Sequence, residues 1–182
     1  MDSMEKRFSE DSLLAVQKTF WFTGLSGAGK TTLASAFRDA LRQLGRQCAL
    51  LDGDSVRAGL NRNLGFSQRD RSENIRIVAE MARLLNQDGI TVLVALISPG
   101  KHDRDNAREI IGAGAFIEVY VSTPLSVCER RDPKGLYRKA RCGELLNFTG
   151  VSADYEAPRH ADLTIDTGST SLSVAVQQLM TL

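Results

Sequence analysis

Short apolar runs alternate along the chain with longer stretches in which apolar residues recur at helical spacing. Residues 19–23, 47–51, 90–97, 116–121 and 163–165 read as strands. Residues 31–44, 71–87, a segment near 104–111, a short stretch from Pro124 and a last one from Ser171 read as helices. Such alternation is the signature of βαβ units, so the pattern predicts an α/β fold with a five-stranded parallel sheet and helices on both faces. Residues 90–97 are apolar on both alternating faces except at Thr91, which suits a strand near the sheet centre. The following pattern carries a polar first turn: Asp70 and Glu73 have capping-box spacing, with Ile75, Val78, Ala79, Ala82 and Leu85 on one stripe and Gly89 at the end. Between residues 131 and 150, Gly, Pro, Asp and Lys cluster without a period, as in a long loop or a loosely helical lid.

Length and charge narrow the picture. The chain has 182 residues, enough for one compact domain, here read as residues 19–182 after an N-terminal extension over 1–18. Lys and Arg number 23 against 22 Asp and Glu, so no broad basic surface for nucleic acid or anionic membrane is expected, and any anion site must be local. The first ten residues lack the apolar core of a signal peptide, and no apolar run is long enough to span a bilayer, so a cytoplasmic location is expected. Cys48, Cys128 and Cys142 have neither CxxC nor metal-ligand spacing and read as free thiols of a reducing compartment. His102 and His160 lie in polar, loop-like surroundings and are not assigned to catalysis.

The strongest local signal is Gly24-Leu25-Ser26-Gly27-Ala28-Gly29-Lys30-Thr31, followed by Thr32. It satisfies GxxxxGK[ST] and lies between a predicted strand and a predicted helix, as a phosphate-binding P-loop requires. The glycines let peptide N–H groups curl round phosphate oxygens, and the helix N-terminus adds positive potential. ATP is therefore the expected donor, with Lys30 on the β- and γ-phosphates and Thr31 on Mg2+. The second strand runs into Asp52-Gly53-Asp54 at the carboxyl edge, where ligands of open parallel sheets bind. Asp52 suits a cap of the next turn. Asp54 is expected to orient a magnesium-bound water and to take the proton of an attacking hydroxyl. Ser98, just after the third strand, should face the same crevice.

Beyond the P-loop, several separated blocks resemble the adenylylsulfate kinase (APS kinase) family: residues 51–57 (Leu-Asp-Gly-Asp-Ser-Val-Arg), 64–71 (Leu-Gly-Phe-Ser-Gln-Arg-Asp-Arg), 73–76 (Glu-Asn-Ile-Arg), Ile97-Ser-Pro, 131–137 (Arg-Asp-Pro-Lys-Gly-Leu-Tyr) and 147–150 (Asn-Phe-Thr-Gly). The resemblance spans about residues 20–167. It implies a P-loop kinase with a mobile lid that phosphorylates the 3′-hydroxyl of adenosine 5′-phosphosulfate (APS), giving 3′-phosphoadenylyl sulfate and ADP in sulfate assimilation. It implies that Arg57, Arg71 and Asn74 hold the phosphosulfate, that Phe66 and Phe148 sandwich the adenine, and that Asp54, Ile97, Ser98, Lys134, Gly135 and Leu136 complete the acceptor site. It also marks Ser98 as a candidate phosphoryl carrier. No base for that hydroxyl is evident nearby in sequence, so direct in-line transfer is preferred. Where the family usually has an aromatic residue and then Arg after Ser-Pro, this chain has Gly100-Lys101, and Asn63 replaces a common acid. A same-fold kinase for another nucleotide or small alcohol, or a regulator that binds nucleotide without turnover, are the competing readings. Homodimerisation and coupling to an ATP sulfurylase are compatible with the resemblance and fixed by nothing in the sequence.

Overall fold

The computed structural model describes residues 17–182, so the N-terminal extension expected over 1–18 lies almost wholly outside the described residues. Lys18 is already tied to the sheet, its carbonyl accepting from Val92 N at 3.0 Å. Five strands form one sheet: β1 (Thr19–Thr23), β2 (Cys48–Asp52), β3 (Thr91–Ala95), β4 (Phe116–Val121) and β5 (Leu163–Ile165). Their order is β2-β3-β1-β4-β5, with every pairing parallel. The expected sheet is thus present, with one correction. β1 is central, and β3 lies beside it. Both strands are buried on both faces, so an apolar run identifies an interior strand without fixing which one it is.

Among the described residues there are seven helices: α1 (Lys30–Gln43), α2 (Gly53–Ala58), α3 (Gln68–Gln87), α4 (Lys101–Ile111), α5 (Leu125–Arg131), α6 (Leu136–Arg141) and α7 (Leu172–Leu179). Strand alternation splits the core in two. Phe20, Phe22, Leu93 and Ala95 face Leu33, Phe37 and Leu41 of α1 and Leu179 of α7. Trp21, Val92 and Val94 face Ile75 and Val78 of α3 and Ala107 and Ile111 of α4. A one-residue slip of β1 would send Trp21 to the wrong layer.

The start of α3 differs from the sequence expectation. Ser67, not Asp70, is its N-cap: the Ser67 hydroxyl accepts from Asp70 N at 3.1 Å and donates to the Asp70 carboxylate at 2.8 Å. Glu73 pairs instead with Arg76 at 2.8 Å. A serine in extended backbone three residues before Asp70 meets the orphan N–H first, so the helix starts one turn earlier. The short helices α2 and α6 were not resolved by periodicity, being too short to show one. α6 lies inside the 131–150 segment, and the Asp132 carboxylate accepts from the Tyr137 and Arg138 N–H groups of its first turn. Burial would raise that carboxyl's pKa, but these N–H groups hold it below the usual range.

Candidate active site

The carboxyl ends of all five strands meet at one edge, and the first of them opens directly into the P-loop. Gly24 has φ 149°, and a Cβ there would lie 2.5 Å from the Val121 carbonyl oxygen, so only glycine lets the loop leave β1 against β4. The loop carbonyls are then taken one after another by side chains: Ser26 O by the Tyr137 hydroxyl at 2.9 Å, Gly27 O by Arg131 at 3.3 Å, and Ala28 O by Thr123 at 3.0 Å and Thr167 at 2.7 Å. With these acceptors committed to surrounding elements, peptide N–H groups are what the loop has left to offer an anion. Lys30 is 8% exposed, and its ammonium donates to Gly24 O at 2.9 Å and Leu25 O at 2.7 Å. Burial pushes its pKa from 10.5 down to about 8 despite the neighbouring Asp52 and Asp54, so it stays protonated at neutral pH. Thr32 is exposed on the first turn of α1.

The acidic turn after β2 has divided roles. One oxygen of Asp52 caps α2 through Asp54 N at 3.1 Å, as expected, while the other accepts from the Thr31 hydroxyl at 2.6 Å. That second contact joins the β2 carboxylate to the P-loop and was not anticipated. Asp54 projects from α2 and forms an ion pair with Lys134 of the 131–150 segment. The oxygens of Thr31, Asp52 and Asp54 are hard donors that suit Mg2+, an ion that keeps several waters and borrows phosphate oxygens.

Arg57, Arg71 and Asn74, the residues expected to hold the phosphosulfate, lie on α2 and the start of α3. Arg57 donates to Gly65 O at 2.8 Å, and its guanidinium lies 4.6 Å from the centroid of the Phe66 ring, which is 65% exposed. Arg71 donates to Phe66 O at 3.0 Å, to the Thr149 hydroxyl at 2.8 Å and to Asn147 O at 2.6 Å. It therefore staples the Phe66 turn to the far end of the lid. Burial lowers both arginine pKa values, and the charge of Arg71 lowers that of Arg57 further, a strain that an anion between them would relieve. Asn74 is buried and accepts from Asn61 at 3.0 Å. Phe148 differs from Phe66: it is only 7% exposed and meets Tyr137 edge-on at 5.0 Å, within the core. Gly135 caps α6 in the left-handed region and Leu136 packs against the same core, so this part of the 131–150 segment is anchored.

Ile97 lies two residues past the end of β3, which is shorter than the expected 90–97 run, and its carbonyl accepts from the Thr23 hydroxyl at 2.8 Å. Ser98 is at the edge expected of it, but it is 2% exposed with φ 39°, and its hydroxyl oxygen accepts from Trp21 Nε1 at 3.1 Å. Sequence reasoning missed Thr123 and Thr167, and it placed Arg131 in the lid without its hold on Gly27 O and Thr167. The threonines follow β4 and β5 directly, so the rule that ligands gather at strand carboxyl ends could have found them. Cys48 and Cys128 are buried thiols and Cys142 is exposed, all free. Among the described residues no helix is long and apolar enough to cross a membrane.

Comparison with known proteins points one way. The family model described as adenylylsulphate kinase matches residues 16–166. The adenylyl-sulfate kinase of Erwinia tasmaniensis is 56% identical over 162 residues, covering 89% of this chain and 80% of the relative. That of Shewanella sp. (strain W3-18-1) is 58% identical over 160 residues, covering 88% and 78%. A solved Mycobacterium tuberculosis APS kinase, in complex with AMPPNP and APS, superposes with a TM-score of 0.88 at 44% identity, covering 91% of this chain and 96% of the other.

Proposed function

Since the chain belongs to the adenylylsulphate kinase family, we propose that it moves the γ-phosphoryl group of ATP to the 3′-hydroxyl of APS, giving 3′-phosphoadenylyl sulfate and ADP. The observation that carries the acceptor choice is the Arg57–Arg71 pair beside the exposed Phe66 ring: two crowded guanidiniums next to an aromatic face suit an anionic group joined to a planar base. The P-loop N–H groups and Lys30 bind the donor phosphates. Thr31 and, through water, Asp54 would hold Mg2+, which would supply neutralisation of the phosphate charge. Asp54 accepts the proton of the attacking hydroxyl, and Lys134 brings the lid down on that carboxylate. Gly135 and Leu136 set the start of the lid helix behind Lys134. Asn74 and Ile97 complete the acceptor wall. Ser98, with its hydroxyl oxygen turned to Trp21, supports that wall while transfer proceeds directly.

An assay of ADP release tests this reading. ADP should form only when ATP and APS are both present; equal release without APS, or none with it, contradicts the reading. The aromatics give a finer test. Phe66→Leu should raise KM for APS about tenfold with little change for ATP, because an exposed ring loses stacking and no core contact. Phe148→Leu should lower the melting temperature as well, because that ring is packed on Tyr137. An unchanged APS KM in both variants would remove the adenine sandwich.

A further inference from the structure

One turn into α4, Arg104 is a charged side chain only 3% exposed. Its Nε donates to Glu118 at 2.9 Å, Nη1 to Ser98 O at 2.7 Å and Pro99 O at 3.1 Å, and Nη2 to Glu156 O at 2.6 Å. A buried guanidinium whose only task was charge neutralisation would need Glu118 alone. Three of its contacts instead reach main-chain carbonyls at the carboxyl edge of the sheet, where ligands bind. Ser98 there has φ 39°, a conformation that a non-glycine residue holds only when its surroundings impose it.

The same fork reaches a second segment. Glu156 N donates to Pro99 O at 2.9 Å, and the Glu156 carboxylate accepts from Lys101 N at the start of α4. Next to it, the Tyr155 hydroxyl pairs with the Thr23 hydroxyl at 2.9 Å. Residues 155–156 thus form a strap across the end of β3, a few residues beyond the Gly150 end of the lid. The hydrogen bonds of Arg104 go to Glu118, Ser98, Pro99 and Glu156, and those that hold the Ser26, Gly27 and Ala28 carbonyls come from Tyr137, Arg131, Thr123 and Thr167.

We propose that Arg104 is a positioning residue for the acceptor, fixing the strained Ser98 turn and rooting the distal end of the lid through the 155–156 strap. This rests on the kinase reading above. The planar fork reaches Glu118, Ser98 O and Glu156 O from three separate nitrogens, a spread that the single nitrogen of a lysine does not reproduce.

Arg104→Lys keeps a cation beside Glu118, and Thr23 remains near Ser98 O at 3.4 Å, so the variant should fold. Its KM for APS should rise about tenfold while its KM for ATP stays within about twofold of the parent. Glu118→Gln keeps an acceptor for Nε and leaves the carbonyl contacts intact, so its KM for APS should stay near the parent's. The assignment is overturned if Arg104→Lys leaves both KM values unchanged, if it raises both equally, or if Glu118→Gln reproduces the APS effect, which would make the ion pair the relevant feature. A parent enzyme that releases no ADP with APS would instead refute the acceptor reading, and this assignment with it.

Discussion

Lys30→Ala should lower phosphoryl transfer by about 10³-fold or more while the chain still folds, since removing one donor aimed at developing charge already costs about 10²–10³-fold. The fold should survive because the loop is held independently of Lys30: Tyr137, Arg131, Thr123 and Thr167 grip the carbonyls of residues 26–28. Burial of the ammonium itself works against stability. With a folded pKa of about 8 against 10.5 for the free side chain, the unfolded chain binds more protons between those values, so this penalty applies in full below pH 8 and fades as pH rises. Alanine removes the penalty along with two hydrogen bonds, and a thermal melt beside the kinetics separates the effects. A cooperative melt with activity near the parent's would reject the P-loop assignment. Activity lost only together with the melt would show Lys30 acting as a support of the fold.

Asp54→Asn should reduce kcat by about 10²-fold, the lower range for a positioned acid–base group, with the melting temperature unchanged because the side chain is largely exposed and its pair with Lys134 is a surface one. Asp52→Asn should behave differently. Asparagine caps a helix about as well as aspartate, so the melt should stay near the parent's, and loss of the charge held against the Thr31 hydroxyl should appear as a higher Mg2+ requirement. Measuring rate against Mg2+ concentration for both variants distinguishes them. If Asp52→Asn abolished kcat at saturating Mg2+ while Asp54→Asn stayed active, the two acids would exchange roles.

Strands, sheet direction and P-loop were legible in the sequence because each follows from a local rule: period-two or continuous apolar runs, and glycine spacing before Lys30. The central position of β1 was not, because Phe20-Trp21-Phe22 and Val92-Leu93-Val94 are equally apolar and only the crossovers order them. Ser67 was overlooked as a cap because the Asp70–Glu73 spacing offered a competing one. In the site, the residue types at the ligand edge were readable and their commitments were not. Phe66 and Phe148 look alike in polar flanks, yet one is 65% and the other 7% exposed, since Phe148 packs on Tyr137, eleven residues away in sequence. Arg104 looked like any helix-start arginine. Its role depends on Glu118, Ser98 and Glu156 meeting in space, which no spacing along the chain records.

Phosphorus NMR of a reaction of ATP with APS, in Mg2+ and parent enzyme, reads directly where the transferred group ends. The γ-phosphorus signal should be replaced by that of a phosphomonoester on the 3′-oxygen, equimolar with ADP, and an APS analogue lacking only the 3′-hydroxyl should yield no such signal. Appearance of the γ-phosphorus as inorganic phosphate, or phosphorylation of the analogue at the parent rate, would contradict transfer to that hydroxyl.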